Sequence, residues 1–370
     1  GKHVFCETPM TTAITEARDV AIESQKSGLV VQIGHQRRYH SNYNLMMKRY
    51  RDDGAIGHIT QAQVERHLNS SGRRNFDYGT DMSDTEKRSI GTDMEHFLNW
   101  RLYLEPAGGP FFHDVATYME VANWFSGSPA LRVFATGKTN YWLDERTAPD
   151  NLNAIFTFEN RRMNGLSLRA DARATELDSA KLSGPYRWQC AFAFSLTNAR
   201  RGARELFYGD RGTCELSSKG DCTLTPEAWT TPYRKLSTDE KIKVIVKTFG
   251  LDVDDSEKIN YYLSMGSTKV PLPDELANYA PDGAPIHALG SEESAEVHQF
   301  RAFADHIRNG GTPRANVMVG LAAVIAGESA KRSYETGQPV DVDPALMEFD
   351  FETPSISMYD ENAAPLPGTT

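Results

Sequence analysis

The sequence predicts an α+β fold: an open, mostly antiparallel sheet packed with helices, preceded by a short piece of an α/β unit. Three observations carry that expectation. The middle of the chain is a series of short extended runs separated by turns: Leu131 to Trp142, Ala154 to Glu159, Gly165 to Arg173, Cys190 to Leu196, Arg204 to Tyr208 and Thr213 to Leu216. Helical patterns flank it, with apolar residues at 111, 115, 118, 122 and 125 making one clean stripe. The opening residues read as strand, helix and strand, the beginning of a parallel arrangement.

Each element has its own local reason. His3 to Cys6 is a short apolar run and predicts one strand. Thr12 is the expected N-cap of a helix carrying Ile14, Ala17 and Ala21, which Gly28 closes. Leu29 to Ile33 is a second strand, of the kind buried on both faces of a parallel sheet. A helix from about Asn42 to Arg51 stops at Asp53-Gly54, and Ile59 to Leu68 makes the next strand. Ser70 to Thr92 is polar and reads as a long surface loop. Gly209-Asp210-Arg211-Gly212 is a turn signal, so the runs on either side of it form a hairpin. About 218–290 reads as an irregular insert containing six prolines. Two helices follow, about Glu292 to Asn309 and Ala315 to Thr336, each closed by a glycine, Gly310 and Gly337. Residues 351–370 read as a flexible or docking tail.

Composition removes several function classes. With 40 Lys+Arg against 50 Asp+Glu the formal charge is −10, which argues against nucleic acid and anionic lipid as partners. Val317 to Gly327, the most apolar stretch, is too short to span a bilayer. No secretory leader is read at Gly1-Lys2-His3. Cys6, Cys190, Cys214 and Cys222 show no metal-ligand spacing and are too few for a disulfide framework. Cys214 and Cys222 either bridge across a hairpin or are two buried thiols. His35 and His40 flank Arg37-Arg38 without the carboxylate or cysteine spacing of a metal site, so no metal is expected.

Gly1-Lys2-His3-Val4-Phe5-Cys6-Glu7-Thr8-Pro9 resembles the G-K-H-V-x-C-E-K-P motif of the Gfo/Idh/MocA oxidoreductases. The resemblance continues through Val30 to Arg38, Asp53-Gly54-Ala55-Ile56-Gly57, Asn99-Trp100-Arg101, Gly108-Gly109-Pro110 and Gly209 to Thr213. The pattern most resembles the family's exported, sugar-acting branch. The resemblance implies an NAD(P)-binding Rossmann domain followed by an open-sheet domain, acting on sugars or polyols. Divided that way, residues 1–36 are a remnant of the Rossmann unit and 37–350 the sheet domain. It also implies an extracytoplasmic location.

Carried over residue by residue, the resemblance departs at three points. No G-x-G-x-x-G occurs in the 370 residues, so no cofactor is expected for the chain as given, with Glu7 and Pro9 the residues to touch one if any does. The motif lysine, a positive donor where negative charge develops, is Thr8. The acid/base histidine of the following helix is Thr117, and its aspartate is Glu120; His113, one turn earlier, is the weaker alternative base. Arg38, Tyr43, Trp100, Arg101, Tyr141 and Trp142 match positions at the family's substrate cleft, where arginine forks and flat rings suit sugars.

The expectation is therefore a degenerate relative, a non-catalytic structural or binding subunit of a larger assembly. Its partners would be other protein subunits, or copies of itself, meeting at the sheet face and the Rossmann remnant, with carbohydrate a further possible partner. The alternative is an NAD(P)-dependent sugar or polyol oxidoreductase whose upstream Rossmann portion is missing from this chain. A carbohydrate-binding module built on the old cleft is a third reading.

Overall fold

A computed structural model describes residues 1–51, 54–74, 83–85, 94–105, 107–159, 187–217, 222–226, 237–264, 286–287 and 293–349. The strand expected at Gly165 to Arg173, Asp53 of the expected turn, most of the 70–92 loop and the 351–370 tail lie outside them. Its centre is a nine-stranded sheet: β3 (Ile59–His67), β4 (Arg132–Lys138), β5 (Asn151–Glu159), β6 (Arg187–Ser195), β7 (Ala203–Gly209), β8 (Gly212–Ser217), β9 (Thr223–Pro226), β10 (Ile286–His287) and β11 (Val340–Asp341). The spatial order is β10-β9-β8-β7-β3-β6-β5-β4-β11, and every pairing is antiparallel except β3 with β6. β7 and β8 form the expected hairpin.

Alternation along these strands sends one face to the core. Val133 and Ala135, Leu152 to Phe158 at every second position, Trp188 to Phe194 likewise, Phe207, Cys214 and Leu216 are all buried. Phe134 and Ile155 face outward. Helix α4 (Ala116–Ser126) lies on the buried face, where Phe125 stacks on Phe207 at 4.2 Å and on Tyr50 at 5.4 Å. Tyr50 comes from α2 (Ser41–Arg51), and a short α3 (Met94–Leu98) precedes the loop to α4.

The opening residues form a separate pair of parallel strands, β1 (Val4–Cys6) and β2 (Val31–Ile33), joined by α1 (Ile14–Ser27). The second strand is buried on both faces as expected, while the first is not. Ile33 and Gln32 are buried, but Val4 is 43% exposed and β1 is an edge whose hydrogen bonds run to β2 and the adjoining Val30. α1 buries Ala17, Ala21 and Ser24, one helical face, against the long helix α8 (Val317–Thr336). Gly320 and Gly327 permit close approach on α8: a Cβ at Gly327 would sit 2.8 Å from the carbonyl oxygen of Phe111. Asn316 caps α8, accepting from the backbone N–H of Met318 at 2.9 Å and Val319 at 3.2 Å. Helix α7 (Ala295–Asn309) packs behind residues 36–39 and against β1, where Phe5 meets Phe300 and Phe303 at 4.7 and 5.9 Å.

Three further expectations change. The strand expected over Leu131 to Trp142 ends at Lys138, because the backbone N–H groups of Asn140, Tyr141 and Trp142 all turn to the Asp150 carboxylate at 2.8–3.0 Å. The stretch read as irregular from 218 to 290 holds two helices, α5 (Thr238–Phe249) and α6 (Ser256–Ser264), besides β9 and β10. Ser237 and Glu240 start α5 with a reciprocal capping box that the proline count had obscured. Finally, Thr12 does not cap α1. The N-cap is Ala13, and the orphan N–H of Ile14 donates to Glu328 Oε2 on α8 at 2.5 Å.

All four cysteines are free thiols, with Cys190, Cys214 and Cys222 buried, so Cys214 and Cys222 are not bridged. Among the described residues no helix is long and apolar enough to cross a membrane, and no group of three or more His, Cys, Asp or Glu side chains is placed to hold a metal ion.

The tertiary cap ties the N-terminal unit to the last long helix, and its removal is measurable. Glu328→Ala is expected to cost about 1 kcal/mol in urea unfolding. Amide exchange should accelerate over Ile14 to Arg18 first and leave α5 unchanged.

Candidate active site and cavity

The loop before α4 builds the site. Gly108 and Gly109 both take positive φ, 74° and 55°. At Gly109 a side chain would collide with Ala148, the Cβ–Cβ distance being 2.7 Å. The chain then enters α4 through one π-type turn, Phe111–Val115. Such a turn holds one extra residue, and here it sends Phe111, Phe112 and Val115 to the core while turning His113 and Asp114 toward the end of the sheet.

There a cavity of about 130 Å³ opens between that turn and the ends of β3 and β6. Its apolar side is Leu68, Leu102, Phe194 and Leu196; its polar side is His113, Asp114, Arg66, Arg101 and Arg146. Arg66 reaches Asp114 at 3.3 Å. Arg146 forks onto Asp144 at 2.6 Å through both Nε and Nη2, and also donates to the carbonyl of Ser71. Those hydrogen bonds, with help from Arg73, hold the Asp144 carboxyl down to about 2. Arg73 in turn pairs with Glu95. Arg101 lies 4.2 Å over the Trp100 ring, and its buried Nε has no hydrogen-bond partner.

Electrostatics decide the protonation states. Burial pushes His113 below its ordinary value, and Arg101 and Arg66 add to the fall against Asp114. The imidazole is thus neutral at pH 7. Burial pushes Asp114 up, opposed by His113 and the two arginines. Burial and nearby Arg74 lower Arg101, which stays a cation at any physiological pH.

A second group of charges lies beneath the helix. Residues 36–39 form a 3-10 turn that sends Arg37 and Arg38 in different directions. Arg37 Nε lies 3.0 Å from Glu205 Oε1, and Tyr43 donates its hydroxyl to Glu205 Oε2 at 2.8 Å. Glu205 is on the apolar face of β7, and the Arg37 guanidinium stacks 4.1 Å over Tyr118. Burial pushes Glu205 up against the pull of Arg37. Burial also opposes the Arg37 charge most strongly, but Glu205 together with Tyr43 and Tyr118 more than offsets it, so Arg37 is held above its ordinary value. Arg38 pairs with Glu120 at 2.5 Å and lies 4.9 Å over Trp124. His35 is buried beside them. Burial pushes it down to about 4, with Arg38 and Arg37 adding to the fall and Glu120 resisting it.

The residues singled out in the sequence therefore divide. Arg101 and His113 line the cavity. Trp100 stands at its edge, with its ring 6.4 Å from His113. Trp142 donates its Nε1 to the carbonyl of Leu196, a cavity residue, at 3.1 Å, while its neighbour Tyr141 is 64% exposed. Arg38, Tyr43 and Glu120 do not line the cavity; all three are buried in the charge network. Thr117 spends its hydroxyl on the carbonyl of His113 at 2.8 Å. Thr8 is half-buried after β1 with its Oγ1 unpartnered, between exposed Glu7 and half-buried Pro9. Sequence reasoning missed Arg66, Asp114, Arg146 and Glu205. Only the last had a signal, a lone acid among the apolar residues of a strand.

No family model matches the chain. Over 118 residues it is 27% identical to Oxidoreductase P35 of Formosa agariphila, covering 32% of this chain and 31% of that protein. Over 99 residues it is 30% identical to the inositol 2-dehydrogenase/D-chiro-inositol 3-dehydrogenase of Lactiplantibacillus plantarum, covering 26% of this chain and 27% of that one. The matched part thus spans about a third or less of either curated relative. Among solved structures, levoglucosan dehydrogenase in complex with NADH and levoglucosan superposes over 93% of this chain and 75% of its own, with a TM-score of 0.56 at 15% identity.

NADH in that neighbour raises the question of fit. A dinucleotide needs a glycine turn and an open helix N-terminus facing its pyrophosphate. Here the helix between the parallel strands has the Glu328 carboxylate at its first N–H, where a phosphate would be repelled. The N-terminus of α1 is therefore not such a site.

Two outcomes follow from the buried charges. Glu205→Gln is expected to cost about 3–5 kcal/mol by stranding Arg37, and Arg37→Met with Glu205→Met should regain most of it in denaturant unfolding. His35 binds its proton less tightly folded than unfolded, so stability is intact above about pH 6.5 and falls as pH drops toward 4. Urea titrations at pH 7 and pH 4.5 should show that fall, on the order of 2 kcal/mol, and His35→Gln should flatten it.

Proposed function

We propose that this chain, which has the fold of the Gfo/Idh/MocA oxidoreductases, is a binding relative of those sugar and polyol dehydrogenases and takes a small polar molecule in the cavity beside His113 without oxidising it. The observation that carries this reading is the fate of the proton-transfer positions. Thr8 is neutral where a lysine would bear charge. Thr117 is bonded to its own helix backbone at 2.8 Å. Glu120 is committed to Arg38 at 2.5 Å. None of the three has a free proton to exchange with a substrate hydroxyl near neutral pH. The cavity itself keeps what binding requires: an apolar wall, arginine forks and a neutral imidazole.

A second reading has one observation in its favour. His113 is a neutral imidazole in the cavity wall and has the chemistry of a base, as an NAD(P)-dependent sugar or polyol oxidoreductase needs. It lies a full helical turn before Thr117, about 5 Å along the axis, so a substrate would have to sit correspondingly displaced.

Work within an assembly is part of the proposal. Val4, Val297, Phe300 and Ile307 are exposed apolar residues on and beside the β1 edge, a surface suited to a further subunit. An extracytoplasmic location is proposed as well, supported by the motif order of the exported branch.

Incubation of the purified protein with NAD⁺ or NADP⁺ and a panel of sugars and inositols should give no absorbance change at 340 nm. Calorimetry with the same panel should detect binding. Steady production of NADH or NADPH by the unmodified chain would overturn the reading in favour of the dehydrogenase.

A further inference from the structure

We propose that the cavity at the π-turn selects a monosaccharide-sized acid, whose carboxylate is held by Arg101; this rests on the binding reading above and names its ligand class. The charge balance of the lining argues for it. Three arginines and one carboxylate face the cavity. Arg146 is neutralised by its fork onto Asp144, and Arg66 by Asp114. Arg101 has no ion pair with a described residue. It rests on the Trp100 ring, and its Nε is buried without a hydrogen-bond partner. A neutral occupant leaves the charge of Arg101 in the cavity wall uncompensated by any described carboxylate, whereas an anionic occupant lying against that wall offsets it.

Size and shape narrow the class further. About 130 Å³ is on the scale of the ~150 Å³ void that admits a single six-membered ring, which sets the part of a ligand held inside at about one ring. Phe194, Leu196 and Leu102 offer an apolar wall to the C–H face of such a ring. His113 then supplies one hydrogen-bonding nitrogen for a hydroxyl. Asp114 faces the same space, and its charge is opposed by Arg66 at 3.3 Å, which keeps the cavity from repelling an anion.

The test is calorimetry on the full chain at pH 7 with glucuronate and galacturonate against glucose, galactose and myo-inositol. The acids should bind at least tenfold more tightly than the neutral molecules, and their affinity should fall as salt rises. Arg101→Gln should remove that tenfold preference. Arg101→Lys should keep part of it, and Arg132→Gln, exposed on β4 beside the last strand β11, all of it. Thermal midpoints report whether each variant is folded, and the comparison of acids with neutral molecules needs no variant. Equal binding of acids and neutral sugars, or an Arg101→Gln chain with its preference intact, overturns the acid specificity alone. Absence of binding by every sugar overturns the binding reading, and with it this inference.

Discussion

Two adjacent arginines set the terms for the interior. Arg37 and Arg38 leave one short 3-10 turn, and each finds a buried glutamate on a different layer: Glu205 on the sheet and Glu120 on the helix above it. Single buried ion pairs contribute little net stability, because desolvation consumes most of the Coulomb energy. Their effect is on register. A one-residue slip of β7 would carry Glu205 to the outer face and strand Arg37, and a rotation of α4 would do the same to Arg38. The turn at 36–39 thus fixes the helix relative to the sheet, and the cavity forms between those two elements. The aromatic rings over each guanidinium, Tyr118 and Trp124, come from the same helix and reinforce the lock.

The cavity is a consequence of that arrangement. With α4 fixed, the π-turn at its start has one way to meet the ends of β3 and β6. The turn presents His113 and Asp114 there while Thr117, a turn later, folds its hydroxyl back on the helix. Arginines then arrive from three separate segments. Two of them are paired with described carboxylates, Asp144 and Asp114, and Arg101 has no such pair among the described residues.

Much of the sheet was legible because alternation survives in isolated strands: 151–159 and 187–195 alternate almost without interruption. The caps at Gly28 and Gly337 were legible for a similar local reason, a positive φ that glycine adopts without cost. What was not legible depended on partners distant in sequence. Glu328 caps a helix 314 residues away, and nothing near Ile14 announces it. Asp150 pulls three backbone N–H groups out of the strand expected through Trp142. In the candidate site the same division holds. Arg101 and His113 were found through their motif context, whereas Arg66 and Arg146 look like any surface arginine until β3 and the 144–149 loop converge. Arg38 and Glu120, expected at a ligand from their motif context, pair with each other in the structure, and a sequence does not distinguish a residue facing a cleft from one facing its counter-ion.

The π-turn also makes chain length, as well as residue identity, a determinant of the site. Its five residues, Phe111–Val115, carry one more than the ordinary helical pitch requires. Deleting a single residue there would restore that pitch and rotate everything before it by about 100° relative to α4. His113 and Asp114 would leave the cavity wall together, and Gly109 would lose its seat against Ala148. A lineage can therefore switch this space on or off by an insertion or deletion of one codon while every side chain that lines it stays the same.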